Sequence, residues 1–192
     1  MHLYRPGVLS ALGSGMEATV ERLLDPMPSS LTLSDQWVAG RTLPLGQITV
    51  PLRPFDASLP DEHRSRNNQL LWHAMAQVEP ALSAACRCFG PDRIGVVLGT
   101  STSGVDENLP AFRHIADGAQ WQDSAFSQAH QLLCSPVDFI QAQYGLSGIG
   151  YAISTACTSG ARALASAARL LKLGLCDAVL CGGVDSLSLL TI

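Results

Sequence analysis

One stretch near the end of the printed sequence, residues 149–184, constrains the fold more than any other part. Its first segment, 149–155, is apolar and partly β-branched, which is typical of a strand covered on both faces. Its last segment contains a second apolar run of strand length, Ala178–Cys181. Helical periodicity separates the two runs, so the stretch predicts a βαβ unit with a right-handed crossover.

The helix between the two runs is predicted to begin near Thr158. It should end at Lys172 and Gly174, a cation near the negative end of the helix followed by a residue that tolerates left-handed geometry. Small and apolar residues recur at three- and four-residue spacings and predict the buried face. These residues are Ala161, Leu164, Ala165, Ala168 and Leu171.

Cys157 lies between the first strand and the start of this helix. Unpaired backbone N–H groups and the positive end of the helix dipole favour a thiolate there and can also hold an oxyanion. The small neighbours Ala156, Thr158, Ser159 and Gly160 leave room for a substrate carbonyl. A cysteine that merely packs is the common alternative, since free cysteines are among the most buried residues. The position of Cys157 between a strand and the start of a helix favours its role as a nucleophile over simple packing.

Two motifs carry a resemblance to a known family. Residues 154–161 read STACTSGA, which resembles the nucleophile motif of the 3-oxoacyl-[acyl-carrier-protein] synthases, the beta-ketoacyl synthases of fatty-acid and polyketide synthesis. Residues 176–185 read CDAVLCGGVD, which is similar to the strand that follows the nucleophile helix in those enzymes. The resemblance implies an α/β chain with the thiolase-like fold, a mixed sheet with helices on both faces. It covers residues 1–192 as the N-terminal half and implies a C-terminal half outside this chain.

Composition excludes several classes of partner. Hydrophobic residues make up 47% of the chain, charged residues 15%, and the net charge is -4, which gives no electrostatic footprint for nucleic acid or an anionic membrane. No apolar run approaches the ~18 residues that a membrane span needs. With no charged leader, the six cysteines are expected to be reduced and the protein cytoplasmic. Cys86 and Cys88 lack a second pair or nearby histidines, so packing is favoured over zinc, and no metal site is expected.

A second buried strand, Arg93–Leu98, leads into a loop of small polar residues at 100–104. A phosphate-binding loop is the alternative for such a segment, but neither glycine-rich nucleotide motif is present. In the condensing enzymes the equivalent loop borders the acyl pocket near the dimer interface. The resemblance therefore places Thr102 in the lining of the acyl pocket, where relatives often carry a bulkier apolar residue.

Patterning predicts further elements on either side of this strand. The 25–60 connection is expected to be irregular, with a short strand near Leu43–Val50. Pro80 should kink or split the longest helical pattern. Ser135 is predicted as the N-cap of a helix closed by Gly145. The helical segments expected are Glu17–Leu24 (stopped before Pro26), Arg64–Cys88, Leu109–Ile115 and Pro136–Tyr144.

The resemblance implies a decarboxylative condensation. An acyl group is carried on Cys157, whose own N–H supplies one oxyanion donor, and a malonyl thioester then loses carbon dioxide and attacks the acyl group. Substrates arrive on the phosphopantetheine of an acyl carrier protein, so no other cofactor is implied. In this family two histidines, a lysine and a second oxyanion donor come from the C-terminal half. The five histidines of this chain lie outside those motifs, and each is expected to be a surface residue or a satisfied packing residue. The only lysine, Lys172, belongs to the nucleophile helix.

Three functions remain open at this point. The favoured one is an elongating 3-oxoacyl-[acyl-carrier-protein] synthase, a homodimer or a heterodimer with a ketosynthase-like subunit. The second is a non-catalytic, chain-length-factor-like partner, although such partners usually lack the cysteine that is present here as Cys157. The third is a thiolase-like acyltransferase acting on coenzyme A thioesters. A cysteine α/β-hydrolase is disfavoured because Thr155 and Ser159 stand where its elbow needs glycines.

The chain length leaves three explanations for the missing half. A truncated or processed copy of a longer polypeptide is expected first, a natural two-chain enzyme second, and a self-sufficient protein last. In the first two cases the complementary half would cover apolar faces of this one. Residues 1–192 expressed alone are therefore predicted to be insoluble or oligomeric.

Overall fold

A computed structural model describes residues 2–25 and 30–192. Its core forms around β5 (Ile94–Gly99), an almost continuously apolar strand of which every residue is buried. β6 (Gly150–Ile153) pairs with one edge of β5 and β7 (Ala178–Gly183) with the other. Both pairings are parallel, with Val96 opposite Gly150 and Ile94 opposite Ala178. The order is therefore β6-β5-β7, which confirms a buried strand at residues 93–98 to within one residue.

Helices cover both faces of this sheet. On one face, α2 (Arg66–Met75), α3 (Glu79–Phe89) and α6 (Ser135–Tyr144) enclose the larger apolar cluster. On the other face, α7 (Ser159–Lys172) packs against all three strands. Core side chains shared among these elements are Leu71, Trp72, Met75, Leu82, Ile94, Val96, Leu98, Val137, Phe139 and Ile140 on the first face, and Val97, Ala163, Leu170 and Cys176 on the second. The α/β class with helices on both faces is confirmed.

The buried face of α7 differs from the predicted one. Ser159, Ala163, Ala167 and Leu170 are the residues that the sheet buries, whereas Ala161, Leu164 and Ala165 are exposed and Ala168 and Leu171 are half-buried. The prediction was wrong because α7 carries apolar residues on two faces, and periodicity alone does not say which face meets the sheet.

β6 also corrects an expectation. The strand exists but spans 150–153, and it forms an edge of the sheet in the described residues, so Gly150 is exposed and the other three residues are half-buried. It is therefore not covered on both faces. β5 lies between β6 and β7, so the βαβ connection through α7 crosses over a strand instead of joining neighbours.

The antiparallel pairs of the described residues lie in two separate hairpins outside the main sheet. β1 (Leu9–Ser10) pairs with β2 (Gly13–Ser14), and β3 (Thr32–Val38) pairs with β4 (Arg41–Leu45) around Ala39-Gly40. Gly40 has a φ of 73°, a value that favours glycine in a two-residue hairpin turn. The strand predicted near residues 43–50 is thus β4, which ends at Leu45, and β3 was not predicted.

The remaining helices follow the sequence closely. α1 (Met16–Leu24) has the predicted position, while its predicted stop at Pro26 lies outside the described residues. Pro80 splits the long helical pattern as expected and occupies the first turn of α3, where its missing N–H costs nothing. α6 is closed by Gly145 in left-handed geometry, but its N-cap is Cys134, one residue before the predicted Ser135.

Two further helices lie between β5 and α6. α4 (Leu109–Ala116) confirms the helical tendency of that segment, and α5 (Gln128–Gln131) is a single turn. Within residues 2–25 and 30–192, no helix combines the length and the apolar composition that crossing a bilayer requires.

Candidate active site

Cys157 lies in the five-residue turn that joins β6 to α7, and its side chain is exposed. The residue before it, Ala156, has a φ of 52°, in a region that non-glycine residues rarely adopt. Such strain persists only where the surroundings hold it, and it is concentrated at functional sites. The turn therefore presents the thiol at the start of a fourteen-residue helix.

Hydroxyl groups hold this turn. Ser159 Oγ accepts a hydrogen bond from the Thr155 N–H at 2.9 Å and donates one to the Ala156 carbonyl at 2.7 Å. Thr158 Oγ1 donates to the Thr155 carbonyl at 2.9 Å. Ser159 is only 4% exposed, so its hydroxyl is a buried crosslink across the turn. These bonds stabilise the left-handed backbone at Ala156.

Three glycines bring the sheet directly behind the turn. A Cβ added to Gly99 would lie 2.6 Å from the Ser159 carbonyl carbon and 2.7 Å from the Gly160 nitrogen. A Cβ added to Gly183 would lie 3.4 Å from the Gly160 Cα. At Gly99 only a residue without a side chain allows this approach, so the first turn of α7 rests on the carboxyl end of β5. Gly183, at the end of β7, lies beside it at ordinary van der Waals distance. Cys157 consequently lies at the carboxyl edge of the parallel sheet.

The loop that contains Thr102 begins at the same edge. Thr100, its first residue, donates its N–H to the carbonyl of Ile153, the last residue of β6, at 3.1 Å. The carboxylate of Asp185 accepts hydrogen bonds from this loop, including the Thr102 hydroxyl at 3.4 Å. Because the loop follows β5 and the Cys157 turn follows its neighbour β6, the fold brings the two predicted site residues to one side of the molecule.

A cleft of ≈ 370 Å³ runs along the outer side of α7, next to the turn. Its lining residues are Ile153, Thr155, Arg162, Ala165, Ser166 and Arg169. The two arginines make one side of this cleft positively charged. Cys157 itself lies outside that lining, so the thiol stands on an open surface beside the cleft and not at its bottom.

The other cysteines have different surroundings. Burial raises the pKa of the Cys176 and Cys181 thiols, and it does the same at Cys134, where Asp138 adds to the effect. A raised pKa disfavours the reactive thiolate at these three positions. Cys88 is exposed like Cys157, but it lies near the end of α3 and not at a helix start.

A comparison with known families shows to which family the chain belongs. The family model described as "Beta-ketoacyl synthase, N-terminal domain" matches residues 60–190, which include the turn, the glycines and the loop. The chain belongs to the beta-ketoacyl synthase family.

Individual beta-ketoacyl synthases agree with this assignment. The chain is 24% identical over 190 residues to "3-oxoacyl-[acyl-carrier-protein] synthase 2" from Rhizobium meliloti (strain 1021), a match that covers 94% of this chain and 45% of the relative. The chain thus spans about half the length of that curated relative.

Solved structures show the same fold. A ketosynthase (ApeO) in complex with its chain length factor (ApeC) from Xenorhabdus doucetiae superimposes with a TM-score of 0.83 and 30% identity, over 100% of this chain and 51% of the matched chain. A beta-ketoacyl synthase from Burkholderia phymatum STM815 gives a TM-score of 0.74 at 22% identity, over 95% of this chain and 46% of that one. The thiolase-like fold expected from the resemblance is confirmed.

The histidines of this beta-ketoacyl synthase chain lie on elements other than the Cys157 turn. His2 and His114 are exposed, and His63 packs in a tilted arrangement against Phe139. His73 contacts the Ser14 hydroxyl and accepts from the Arg53 N–H, as expected of a packing residue.

His130 departs from the expectation of a surface or fully satisfied histidine. It is buried, and Nε2 bonds the Asp61 carbonyl, but Nδ1 has no hydrogen-bond partner among the described residues. Only one of the two ring nitrogens of His130 is therefore hydrogen-bonded within the described residues.

Two contributors to the site were missed at the sequence level. In the sequence, Ser159 indicates only a small neighbour of Cys157, and Asp185 is only part of the motif at residues 176–185. A signal existed for Asp185, since an acidic residue two positions after Gly182-Gly183 lies just beyond the end of a strand, where polar side chains face the site. No sequence signal separates Ser159 from any other serine in a first helical turn.

Proposed function

We propose that this chain is the nucleophile-bearing half of an elongating 3-oxoacyl-[acyl-carrier-protein] synthase, with Cys157 as the acyl acceptor. The observation that carries the proposal is the exposed thiol of Cys157, held by a strained turn at the N-terminus of α7. Membership of the beta-ketoacyl synthase family supports the reaction type. Fatty-acid and polyketide or polyene synthesis are the pathways that use such a condensation, and the proposal includes the cytoplasmic location expected from the sequence.

Cys157 performs the first half of the proposed reaction. The Cys157 thiol loses its proton, and the thiolate attacks the carbonyl carbon of an acyl thioester. The bond from that carbon to the carrier's sulfur breaks, and the carrier sulfur leaves as a thiolate that takes up a proton from solvent. The oxyanion formed on the way would be held by the Cys157 N–H and a second donor from outside this chain. Small residues on either side of Cys157 leave the thiol accessible to the phosphopantetheine thioester that delivers the acyl group.

The second half of the reaction needs groups from a complementary half. A malonyl thioester loses carbon dioxide, and the resulting carbanion attacks the acyl carbon, which forms a carbon–carbon bond and releases the Cys157 thiolate. The enolate donors are, by the resemblance, two histidines and a lysine of the C-terminal half. We call the assembly of this chain with that half, whether in one polypeptide or two, the complete synthase.

Acyl carrier protein and a second ketosynthase-like subunit are the proposed partners. The name of the Rhizobium relative supports a carrier-protein substrate over coenzyme A, the substrate of the thiolase-like alternative. The Xenorhabdus complex joins a ketosynthase to a chain length factor, which supports a heterodimer. Within such a heterodimer, the exposed Cys157 favours the ketosynthase role over the chain-length role.

The test is turnover by the complete synthase with acyl and malonyl groups on acyl carrier protein. We expect carbon dioxide release and a 3-oxoacyl product on the carrier, both lost in Cys157→Ser. Cys88→Ser is the matched control, because it removes an equally exposed thiol away from the turn. Turnover that survives Cys157→Ser would refute the assignment, and turnover only with coenzyme A thioesters would favour the thiolase-like reading.

A further inference from the structure

We propose that two reciprocal carboxylate contacts lock the Thr102 loop against the segment after β7, and that Asp185 thereby sets which acyl chains the site accepts. The loop is residues 100–108, the segment is 184–189, and together their contacts form what we call the loop clamp. The inference rests on the proposed function, because selectivity for acyl chains presupposes acylation of Cys157. Asp185 is a positioning residue in this proposal, since it acts through the loop and not on the acyl group.

Asp185 supplies the first contact. Its Oδ1 accepts hydrogen bonds from Ser101 N–H at 2.7 Å and Thr100 Oγ1 at 2.9 Å. Longer contacts come from Thr102, with its N–H at 3.3 Å and its hydroxyl at 3.4 Å. Asp185 is exposed, so water competes for the carboxylate, but several donors from three consecutive residues converge on one charged oxygen. The start of the loop therefore follows the position of this carboxylate.

Asp106 supplies the second contact in the opposite direction. It lies on the loop, and its carboxylate accepts from Ser188 Oγ at 2.6 Å and from the Leu189 N–H at 3.2 Å. Ser188 is 1% exposed, so this contact is closed to water on one side. Each segment thus contributes one carboxylate that binds the other, and neither segment can shift without breaking charge-assisted hydrogen bonds.

The far side of the loop is fixed as well. Ser103, which has a φ of 51°, donates its hydroxyl to the Leu132 carbonyl at 2.9 Å and its N–H to Thr100 Oγ1 at 3.0 Å. Gly104 packs against Ser65, because an added Cβ would lie 2.8 Å from the Ser65 Cβ. Thr102 lies between these anchors and the Asp185 carboxylate, so its placement depends directly on Asp185.

This arrangement has a consequence for the acyl group. The Thr102 hydroxyl is engaged by Asp185, which leaves its methyl group as the part of the side chain available to an acyl chain. The resemblance places this loop at the acyl pocket, so releasing the loop would let that wall of the pocket occupy several positions. A long acyl chain needs a continuous wall, whereas an acetyl group fills little more than the space at the thiol. Loss of the clamp should therefore affect long chains more than short ones.

The experiment compares Asp185→Asn with Asp177→Asn in the complete synthase. Asp177 lies just before β7 as Asp185 lies just after it, and it bonds Arg93 at 2.7 Å, so the control removes a carboxylate contact from the opposite end of the strand. The readouts are Cys157 acylation by acetyl- and dodecanoyl-carrier protein and Cys157 alkylation by iodoacetamide. We expect Asp185→Asn to change the dodecanoyl-to-acetyl rate ratio by about tenfold, with alkylation within about twofold of the parent.

Hydrogen exchange tests the clamp without any acyl substrate. The amides of Ser101 and Thr102 should exchange at least about tenfold faster in Asp185→Asn than in the parent. In Asp177→Asn their exchange rates should equal those of the parent. If Asp185→Asn fails to fold, Asp106→Asn removes the other carboxylate contact and is tested in its place. The Leu189 amide should then exchange faster than in the parent, and the dodecanoyl-to-acetyl rate ratio should change in the same direction as expected for Asp185→Asn.

The outcomes separate this inference from the proposed function. If neither acetyl- nor dodecanoyl-carrier protein acylates Cys157 in the parent synthase, the proposed function is refuted. This inference is then refuted with it, even where hydrogen exchange shows that the clamp exists. Acylation with an unchanged rate ratio in both clamp variants overturns the selectivity role of Asp185 and leaves the proposed function standing. Equal changes for Asp177→Asn would also overturn it, because the effect would then be general destabilisation.

Discussion

The Ser159 hydroxyl is the smallest group on which the candidate site depends. Replacing it by alanine removes the acceptor of the Thr155 N–H and the donor to the Ala156 carbonyl. We expect Ser159→Ala to cost about 1 kcal/mol of stability and to relax the strained turn. The rate of Cys157 alkylation by iodoacetamide in the complete synthase should fall, because the thiol then samples other orientations.

Ser166→Ala is the control for this variant. Ser166 lies on the same helix and its hydroxyl bonds Tyr151, so the substitution removes a comparable bond away from the turn. It should lower thermal stability to a similar extent without changing the alkylation rate. Equal alkylation rates in the two variants would contradict the role given to Ser159.

The predictable part of the site at the residue scale is Cys157. A nucleophile between a strand and a helix start is visible in the chain because strand and helix periodicities change there. The contribution of Ser159 was not predictable, since a side-chain hydrogen bond depends on the path of a turn. For Asp185 the sequence indicates a place just beyond the end of a strand, but not the hydrogen bonds that it makes there. The left-handed backbone at Ala156 could not be predicted from the sequence either, because alanine disfavours that conformation.

At the scale of elements, the contact between β5 and α7 fixes the height of the nucleophile above the sheet. Gly99→Ala would place a methyl group within 2.7 Å of the α7 backbone, where no flexible side chain can yield. We expect a loss of between about 1 and 3 kcal/mol and displacement of the α7 start. Urea unfolding and Cys157 alkylation of the complete synthase measure the two effects.

Gly182→Ala tests whether that loss is due to the contact. Gly182 lies on β7, one register step from the partner of Gly99, and an added Cβ there has nothing within 4 Å. It should be neutral or stabilise by about 0.5 kcal/mol, because alanine costs less entropy than glycine in a strand. A similar loss at both positions would argue against a specific contact.

A second element-scale contact ties the 46–60 connection, α3 and α6 together. Glu79 Oε1 accepts from Arg53 at 2.6 Å and from the Tyr144 hydroxyl at 2.7 Å, and Arg53 also stacks on Trp72. Partial burial raises the pKa of Glu79, but the hydrogen bonds from Tyr144 and Arg53 outweigh it and hold the pKa below its ordinary value of 4.5. The charged form is therefore the one that the fold stabilises.

This lowered pKa predicts the direction of a pH effect. A carboxylate whose pKa is lower in the folded state contributes stability above its unfolded pKa, and that contribution disappears as the pH falls through the lowered pKa. The parent should be more stable than Glu79→Gln at neutral pH, and the difference should shrink below pH 4.5. Urea unfolding across this range measures it, with Glu17→Gln, from an exposed ion pair, as the control without such a trend.

Sequence periodicity predicted the elements better than their environments. β5, α2, α3, α6 and α7 were predicted because apolar spacing, Pro80 and Gly145 act locally. The buried face of α7 and the edge position of β6 were not, since both depend on which strands lie beside them. β3 was missed because its polar residues, Ser34, Asp35 and Gln36, hide the alternation of a strand.

At the scale of the whole molecule, three leucines on and just after α7 are exposed. Leu164 is 48% exposed, Leu173 71% and Leu175 46%, and β6 adds an unpaired strand edge in the described residues. Exposed apolar side chains and open strand edges both favour association. We predict that residues 1–192 expressed alone form oligomers or aggregates in sedimentation velocity.

Leu164→Glu tests the source of that association. A charge on the outer face of α7 should shift the isolated chain toward monomer, whereas Leu33→Glu, at a still more exposed leucine of the β3–β4 hairpin, should not. A monodisperse monomer of the unmodified chain would contradict the prediction.

The central claim is that Cys157 accepts an acyl group, and one measurement tests it most directly. The complete synthase is incubated with acyl carrier protein that bears a labelled acyl group, and the mass added to the protein is mapped by peptide analysis. We expect one acyl adduct on the peptide that contains Cys157, absent in Cys157→Ser and retained in Cys88→Ser. No adduct, or an adduct that persists in Cys157→Ser, would contradict it.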